Sequence, residues 1–256
     1  MRRLKAWCLC LAVFLFSAGN FKDAVAAREL IVAVDHAPPY RIIENTPSGP
    51  VYSGIYIDVV RVAAARAGLV LRFEVVPFKR ALYLMETGAA DLMLGPNRTD
   101  ERQQFMYYFG AALPNEPKAV YVGAMDRNVR QVSDLAHKSV GVLRGANYGW
   151  QLEDATDIRM FEAADYGTLF RMLDLHRIDA LIVPELLALE QIKQEGPYRI
   201  RKSDLVLHGQ PSFIVVSRSS DFFTDRSFVK FEELLVEMRQ DGTFDEIYSH
   251  YAQSGS

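Results

Sequence analysis

The sequence predicts an α/β protein in which mostly parallel strands carry helices on their faces, and three observations support this. Strand-like and helix-like hydrophobic patterns alternate from about residue 31 onward, the order that builds parallel sheets. A helix–turn–strand unit at residues 81–96 recurs in register at 169–184. The composition, 50% hydrophobic and 24% charged over 256 residues with a mean hydropathy of −0.01, is that of an ordinary folded chain, long enough for one large or two small domains.

Ile31 to Val34 reads as a short apolar strand, ended by Asp35 and the turn-forming Pro38-Pro39. A helix follows from about Tyr56, with Val59, Val62, Ala63 and Ala67 on one face and Gly68 as its stop. Residues 69–76 place Leu69, Leu71, Phe73 and Val75 at every second position, the period of a strand. Arg80 to Thr87 then reads as helix, Gly88 ends it, and Asp91 to Leu94 is the next strand. This βαβαβ order gives parallel pairing by right-handed crossovers.

The recurrence matches Ala81, Leu82, Leu84, Met85, Ala90, Asp91, Leu92 and Pro96 to Leu169, Phe170, Met172, Leu173, Ile178, Asp179, Ala180 and Pro184. Two lobes, each with its own unit, account for it; so does the likeness that any two αβ units share. A second lobe would begin near Ala119, where Ala119 to Ala124 forms a strand after the linker Pro114-Asn115-Glu116-Pro117. It would hold the strand Val140 to Leu143, a helix starting after Arg144-Gly145, the helix Tyr166 to Arg177 and the strand Ile178 to Val183. Gly209 and Pro211 break the pattern where the chain crosses back, ahead of the apolar run Phe213 to Val216. Phe228, Phe231, Leu235 and Met238 recur at helical spacing, Gly242 stops that helix, and Thr243-Phe244-Asp245-Glu246 reads as a capping box for the last one. The expected division is residues 1–27 as a leader, 28–117 as the first part of lobe one, 118–208 as lobe two and 209–256 as the return to lobe one.

The leader has its own signature. Arg2, Arg3 and Lys5 precede an apolar stretch from Ala6 to Ala18, and Ala24-Val25-Ala26 supplies small residues for cleavage, the layout of a secretory signal peptide. Both cysteines, Cys8 and Cys10, lie at the start of the apolar run rather than at its small-residue end, where a lipid-attachment cysteine belongs. The remainder then holds 25 basic and 31 acidic residues and no cysteine. Such a chain relies on its core for stability and suits the bacterial periplasm. With no long basic run, the electrostatic drive toward nucleic acid is missing.

Eight short segments, in order along almost the whole chain, now carry a family resemblance. They are Pro38-Pro39-Tyr40, Gly54-Ile55-Tyr56-Ile57-Asp58-Val59, Val76-Pro77-Phe78, Gly88-Ala89-Ala90-Asp91-Leu92, Thr99-Asp100-Glu101-Arg102, Val140-Gly141-Val142 with Arg144-Gly145, Arg177-Ile178-Asp179-Ala180, and the run from Met238 to Tyr248. In these the chain resembles the extracellular solute-binding proteins of family 3, periplasmic receptors for polar amino acids in ABC importers. The resemblance implies a type II periplasmic-binding-protein fold, two lobes joined by a two-strand hinge that close on a small solute. It also implies an inner-membrane ABC permease as partner, or a sensor protein, and a monomer with no cofactor.

The same resemblance assigns candidate ligand-binding residues. Arg102 stands where the family holds the ligand's α-carboxylate, a task suited to the two parallel donors of a guanidinium. Phe78 matches the aromatic that covers the ligand, and Gly95 and Asn97 match a loop that offers hydrogen bonds. Asp35, His36 and Tyr40 follow the first strand, where the family places cleft-lining groups. Arg144, Asn147 and Tyr148 surround the expected start of a lobe-two helix, whose free N–H groups favour an anion. Lys79 and Arg80 read as a solvated face. One departure stands out: the aspartate that usually pairs with the α-ammonium is replaced by Pro184, which offers neither charge nor N–H, and Glu185 is the nearest carboxylate. Some relatives look like cyclohexadienyl dehydratases, but no nucleophile motif or metal-ligand cluster is present in the sequence, so catalysis is not expected. A small carboxylate-bearing solute is the expected ligand.

Overall fold

The computed structural model describes residues 27–110, 117–149, 152, 155 and 157–254. The signal-peptide reading, apart from residue 27, and most of the expected linker, residues 114–116, lie outside the described residues.

Two five-stranded sheets organise the chain. The first contains β1 (Glu29–Val34), β4 (Val70–Val75), β5 (Leu92–Asn97), β6 (Met106–Tyr108) and β12 (Ser212–Ser217), in the order β4-β1-β5-β12-β6. The second contains β7 (Lys118–Gly123), β8 (Ser139–Leu143), β9 (Arg159–Ala163), β10 (Ala180–Pro184) and β11 (Ile200–Leu207), in the order β11-β7-β10-β8-β9. In each sheet the strands linked by helices pair in parallel: β1 with β4 and β5, and β8 with β9 and β10. The strands next to the crossings pair antiparallel, β12 with β5 and β6, and β7 with β10 and β11. The chain passes from the first sheet to the second between β6 and β7 and returns between β11 and β12.

Helices α1 (Ile55–Ala67) and α2 (Phe78–Thr87) form the crossovers of the first sheet. Each ends on a glycine in the left-handed conformation, Gly68 and Gly88, as their positions in the sequence suggest. Helix α2 starts at Phe78, two residues before the expected Arg80, because Pro77 supplies a fixed extended φ just ahead of it. The short α3 (Asp100–Gln103) is capped by Thr99, whose Oγ1 accepts the Arg102 backbone N–H at 3.2 Å. In the second sheet α4 (Tyr166–Asp174) begins at the expected residue but stops before Arg177, since His176 takes a left-handed φ of 52°. Helix α5 (Glu185–Glu195) follows β10 directly, and α6 (Asp221–Thr224) follows β12. At the C-terminus α7 (Phe228–Gln240) and α8 (Thr243–Ser254) pack on α1, returning the chain to the first lobe.

Three local details differ from the sequence reading. The helix expected after Arg144-Gly145 does not start at once: the backbone runs as turn and coil through Gly149, Leu152 is helical, and most of 150–156 lies outside the described residues. The capping box at Thr243 does not form, because the Glu246 N–H donates to Gly242 O at 3.0 Å and the Thr243 hydroxyl donates to Asp241 Oδ1. A hairpin of β2 (Ile42–Thr46) and β3 (Gly49–Ser53), absent from the sequence reading, lies between β1 and α1.

Buried apolar residues of both sheets merge into one cluster, which runs from Val32, Ile57 and Leu92 through Tyr40 and Phe78 to Leu143, Tyr166 and Leu187. A second cluster, with Val120, Val140, Tyr148 and Ile182, belongs to the second sheet alone. Gly54 keeps α1 close to the Pro38-Pro39 turn: its φ is 112°, and a Cβ there would lie 2.7 Å from Tyr40 O.

Candidate functional site

Two neighbouring cavities lie between the sheets and share Leu143, Tyr166 and Leu187 in their walls. The inner one, about 70 Å³, is lined by β5, α1, α2 and the turn after β1 on one side and by β8, β10, Ala146 and Asn147 on the other. Both crossings also contribute, through Lys118 and through Gln210 and Ser212. This is the crevice beyond the carboxyl ends of parallel strands, where open α/β sheets bind ligands. The outer cavity, about 360 Å³, is lined by Asp35, His36 and residues 75–77 on the first lobe and by Asp165, Arg171, Gln191 and Glu195 on the second.

Of the residues expected from the sequence, Tyr40, Phe78, Gly95, Asn97 and Asn147 line the inner cavity. The Tyr40 ring lies 5.1 Å from that of Tyr56, whose hydroxyl shares a 2.5 Å hydrogen bond with Ser212 Oγ. Asn97 Nδ2 donates to Pro211 O at 3.2 Å, tying β5 to the return crossing. The Asn147 carbonyl accepts from Lys118 Nζ at 2.8 Å, and the ammonium stands 5.0 Å from the Tyr148 ring centroid.

Arg102 is buried at the edge of this cavity. Its Nη1 donates to Asn97 O at 3.1 Å and its Nη2 to Gly145 O at 2.6 Å, while Cζ lies 5.8 Å from the centroid of Phe78. One guanidinium therefore touches main chain from both lobes.

Asp35 and His36 belong to the outer cavity instead. Asp35 Oδ1 accepts from Arg41 Nε at 2.9 Å in a buried ion pair. Burial acts most strongly, to lower the Arg41 pKa, but Asp35 together with Tyr56 and Tyr166 outweighs it, and the guanidinium is held above its ordinary value. His36 Nδ1 accepts the Ile43 N–H at 3.1 Å. Desolvation at the cavity wall pushes its pKa down, against the opposing pull of Asp35, Glu195 and Glu44.

Besides Arg102, three expected residues do not line either cavity. Arg144 is 52% exposed in its side chain and faces Glu162 at 3.6 Å rather than either cavity. Tyr148 sits in the second lobe's own core, where its hydroxyl accepts the Leu143 N–H at 2.7 Å and burial pushes its pKa up to about 12. Glu185 turns outward to an ion pair with Lys202, and its N–H donates to Pro117 O at 3.0 Å. Pro184, by contrast, lines the inner cavity and is the register partner of Lys118.

Several lining residues escaped the sequence reading, above all Arg41, Tyr56, Lys118 and Tyr166. Arg41 directly follows Pro38-Pro39-Tyr40 and Lys118 directly follows Pro117, so adjacency to a turn or crossing was the available signal. Among the described residues there is no group of three or more side chains able to hold a metal ion, and no helix is long and apolar enough to cross a membrane.

Comparison with known proteins places this geometry. A family model described as bacterial extracellular solute-binding proteins, family 3, matches residues 30–254. A probable amino-acid-binding protein, YxeM of Bacillus subtilis (strain 168), is 24% identical over 97% of this chain and 96% of its own. A putative amino-acid ABC transporter-binding protein, PatH of Vibrio harveyi, is 26% identical over 76% of this chain and 77% of its own. Among solved structures, an ancestral arginine-binding protein bound to arginine superposes with a TM-score of 0.75 at 23% identity, covering 87% of this chain and 97% of that one. A histidine kinase sensor domain similar to periplasmic binding proteins gives 0.73 at 16% identity, covering 88% and 96%. These structures share the two-lobed type II periplasmic-binding-protein fold.

Proposed function

Because the chain belongs to the bacterial extracellular solute-binding proteins of family 3, we propose that it captures a small carboxylate-bearing solute, an amino acid or related organic acid, in the inner cavity and delivers it unchanged to an inner-membrane ABC permease from the periplasm. The observation that carries this reading is the position of Arg102, whose guanidinium reaches Asn97 O on one lobe and Gly145 O on the other beside a cavity walled by both. A carboxylate entering there accepts both donors of the fork and replaces the bond to Gly145. The names of the two curated relatives, both amino-acid-binding proteins, support the class of solute. Tyrosine hydroxyls and the amides of Asn97, Asn147 and Gln210 supply the remaining polar wall, a set suited to holding a polar molecule.

Closure by a hinge couples binding to a change of shape. The test is a thermal-shift screen of amino acids, organic acids and short peptides, followed by small-angle scattering with any hit. A ligand at a hundredfold excess over its dissociation constant stabilises the folded state by about 2.7 kcal/mol. No shift with any compound, together with unchanged scattering, overturns the receptor reading.

A further inference from the structure

Arg102 adjoins the inner cavity through Asn97 and Phe78, and a different guanidinium stands in the cavity wall itself. Arg41 is 6% exposed and lines the wall. Among the described residues its side chain makes one hydrogen bond, from Nε to Asp35 Oδ1, of the five N–H donors that a guanidinium carries. Its Nη1 lies over Gly95, where a Cβ would approach it to 2.4 Å, and Cζ stands 5.5 Å from the Tyr56 ring centroid. Gly95 and Tyr56 line the same cavity, so the space left by the absent side chain of Gly95 is where the far edge of the fork meets it. A buried guanidinium with most of its donors unused favours an incoming anion.

The surrounding chemistry points the same way. Among the described residues the cavity wall includes Arg41 and Lys118 and no aspartate or glutamate, and the site of the usual ammonium partner is Pro184. Gly95, beneath Arg41, and Asn97, whose carbonyl takes Arg102 Nη1, are two residues apart on β5, about 7 Å by strand geometry. The two guanidiniums therefore meet the same stretch of β5, so a two-ended anion can face both.

We propose that Arg41 receives a second anionic group and that the solute is a small dicarboxylate without an α-ammonium. This rests on the reading of Arg102 as the carboxylate receiver. Arg41 is then the residue that selects two-ended anions over single carboxylates.

Calorimetric titration of the full-length mature protein with succinate, glutarate, butyrate, L-glutamate and L-glutamine tests it. The expected result is that succinate or glutarate binds at least tenfold more tightly than the other three. Arg41→Lys, and Arg41→Gln combined with Asp35→Asn so that no carboxylate is left unpaired, should each lose tenfold or more for the diacid and weaken the diacid by more than they weaken butyrate. The wild-type ranking needs no variant and stands even where a variant fails to fold. A preference for L-glutamate or L-glutamine, or Arg41 variants that bind the diacid as the wild type does, overturns the assignment of Arg41. If Arg102→Ala abolishes binding while Arg41 is indifferent, the receptor reading survives and only this inference falls. If none of the five compounds binds, it falls as well.

Discussion

Arg102 Nη2 donates to Gly145 O at 2.6 Å, so a side chain of the first lobe is hydrogen-bonded to the main chain of the second. Removing the guanidinium removes both this link and the proposed receiver for a carboxylate. Losing one partner of a buried charged pair costs about 3–5 kcal/mol, so Arg102→Ala should weaken ligand binding a hundredfold to several thousandfold at about 1.4 kcal/mol per tenfold. Arg102→Lys should recover only part, because an ammonium restores charge without two parallel donors. Calorimetry with unfolding curves as control checks this. A folded Arg102→Ala protein that binds within about threefold of wild type removes Arg102 from the site.

The Asp35–Arg41 pair is buried, with side-chain exposures of 11% and 7%. Asp35→Ala leaves the guanidinium uncompensated and should destabilise the fold by about 3–5 kcal/mol. At roughly 2–4 °C per kcal/mol for a chain of this size, melting should fall by about 6–20 °C. Asp35→Ala together with Arg41→Met should recover much of that loss. A single variant that melts with the wild type would show that the pair contributes no stability.

Pro184 lines the inner cavity opposite Lys118. Pro184→Asp restores a carboxylate at the end of β10 and should shift selectivity toward L-α-amino acids relative to the same acids without an amino group. Competition titrations on wild type and variant read the change directly. Tight L-amino-acid binding by the wild type that depends on Glu185 would contradict the outward placement of that side chain and make it the ammonium partner.

His36 titrates below its ordinary value because desolvation outweighs the neighbouring carboxylates, and Arg41 adds to the lowering. Between the lowered folded-state value and 6.5 the unfolded chain binds more protons. Stability from this group is therefore full above 6.5 and is lost as pH falls through the folded-state value. The slope should be shallow, since the ring is also exposed to solvent. Proton NMR should show a His36 midpoint below 6.5, and His36→Gln should flatten the melting curve's dependence on pH between 7 and 5. A midpoint above 6.5 would mean that Asp35, Glu195 and Glu44 dominate.

What local sequence determines here are elements whose signal is periodic or capped. Helix α1, with Gly68 as its stop, strand β4 and the buried stripe of Phe231, Leu235 and Met238 all follow from spacing that a few turns of chain can satisfy alone. Elements without that signal went unread. Strand β9 is mostly exposed, the β2–β3 hairpin is half polar, and α5 has a weakly defined apolar face. The short motifs were enough to indicate the family; of the residues carried over with it, Phe78 and Asn97 line the inner cavity and Arg102 adjoins it through them.

Which side chains share a cavity was decided by the tertiary structure. Arg41 and Lys118 are 77 positions apart, and both are isolated charges in the sequence; only the docking of two sheets brings them into one wall. Likewise Glu185 and Pro184 are neighbours in the chain, yet the start of α5 turns one toward Lys202 and leaves the other facing the cavity. Direction at a strand end depends on the helix that follows and on what packs against it. The first-lobe face of the cavity also depends on the second crossing, which places Gln210 and Ser212 beside Asn97 through hydrogen bonds between residues more than a hundred positions apart. Contacts over such separations arise only when burial of the whole core fixes the chain, which no local pattern encodes.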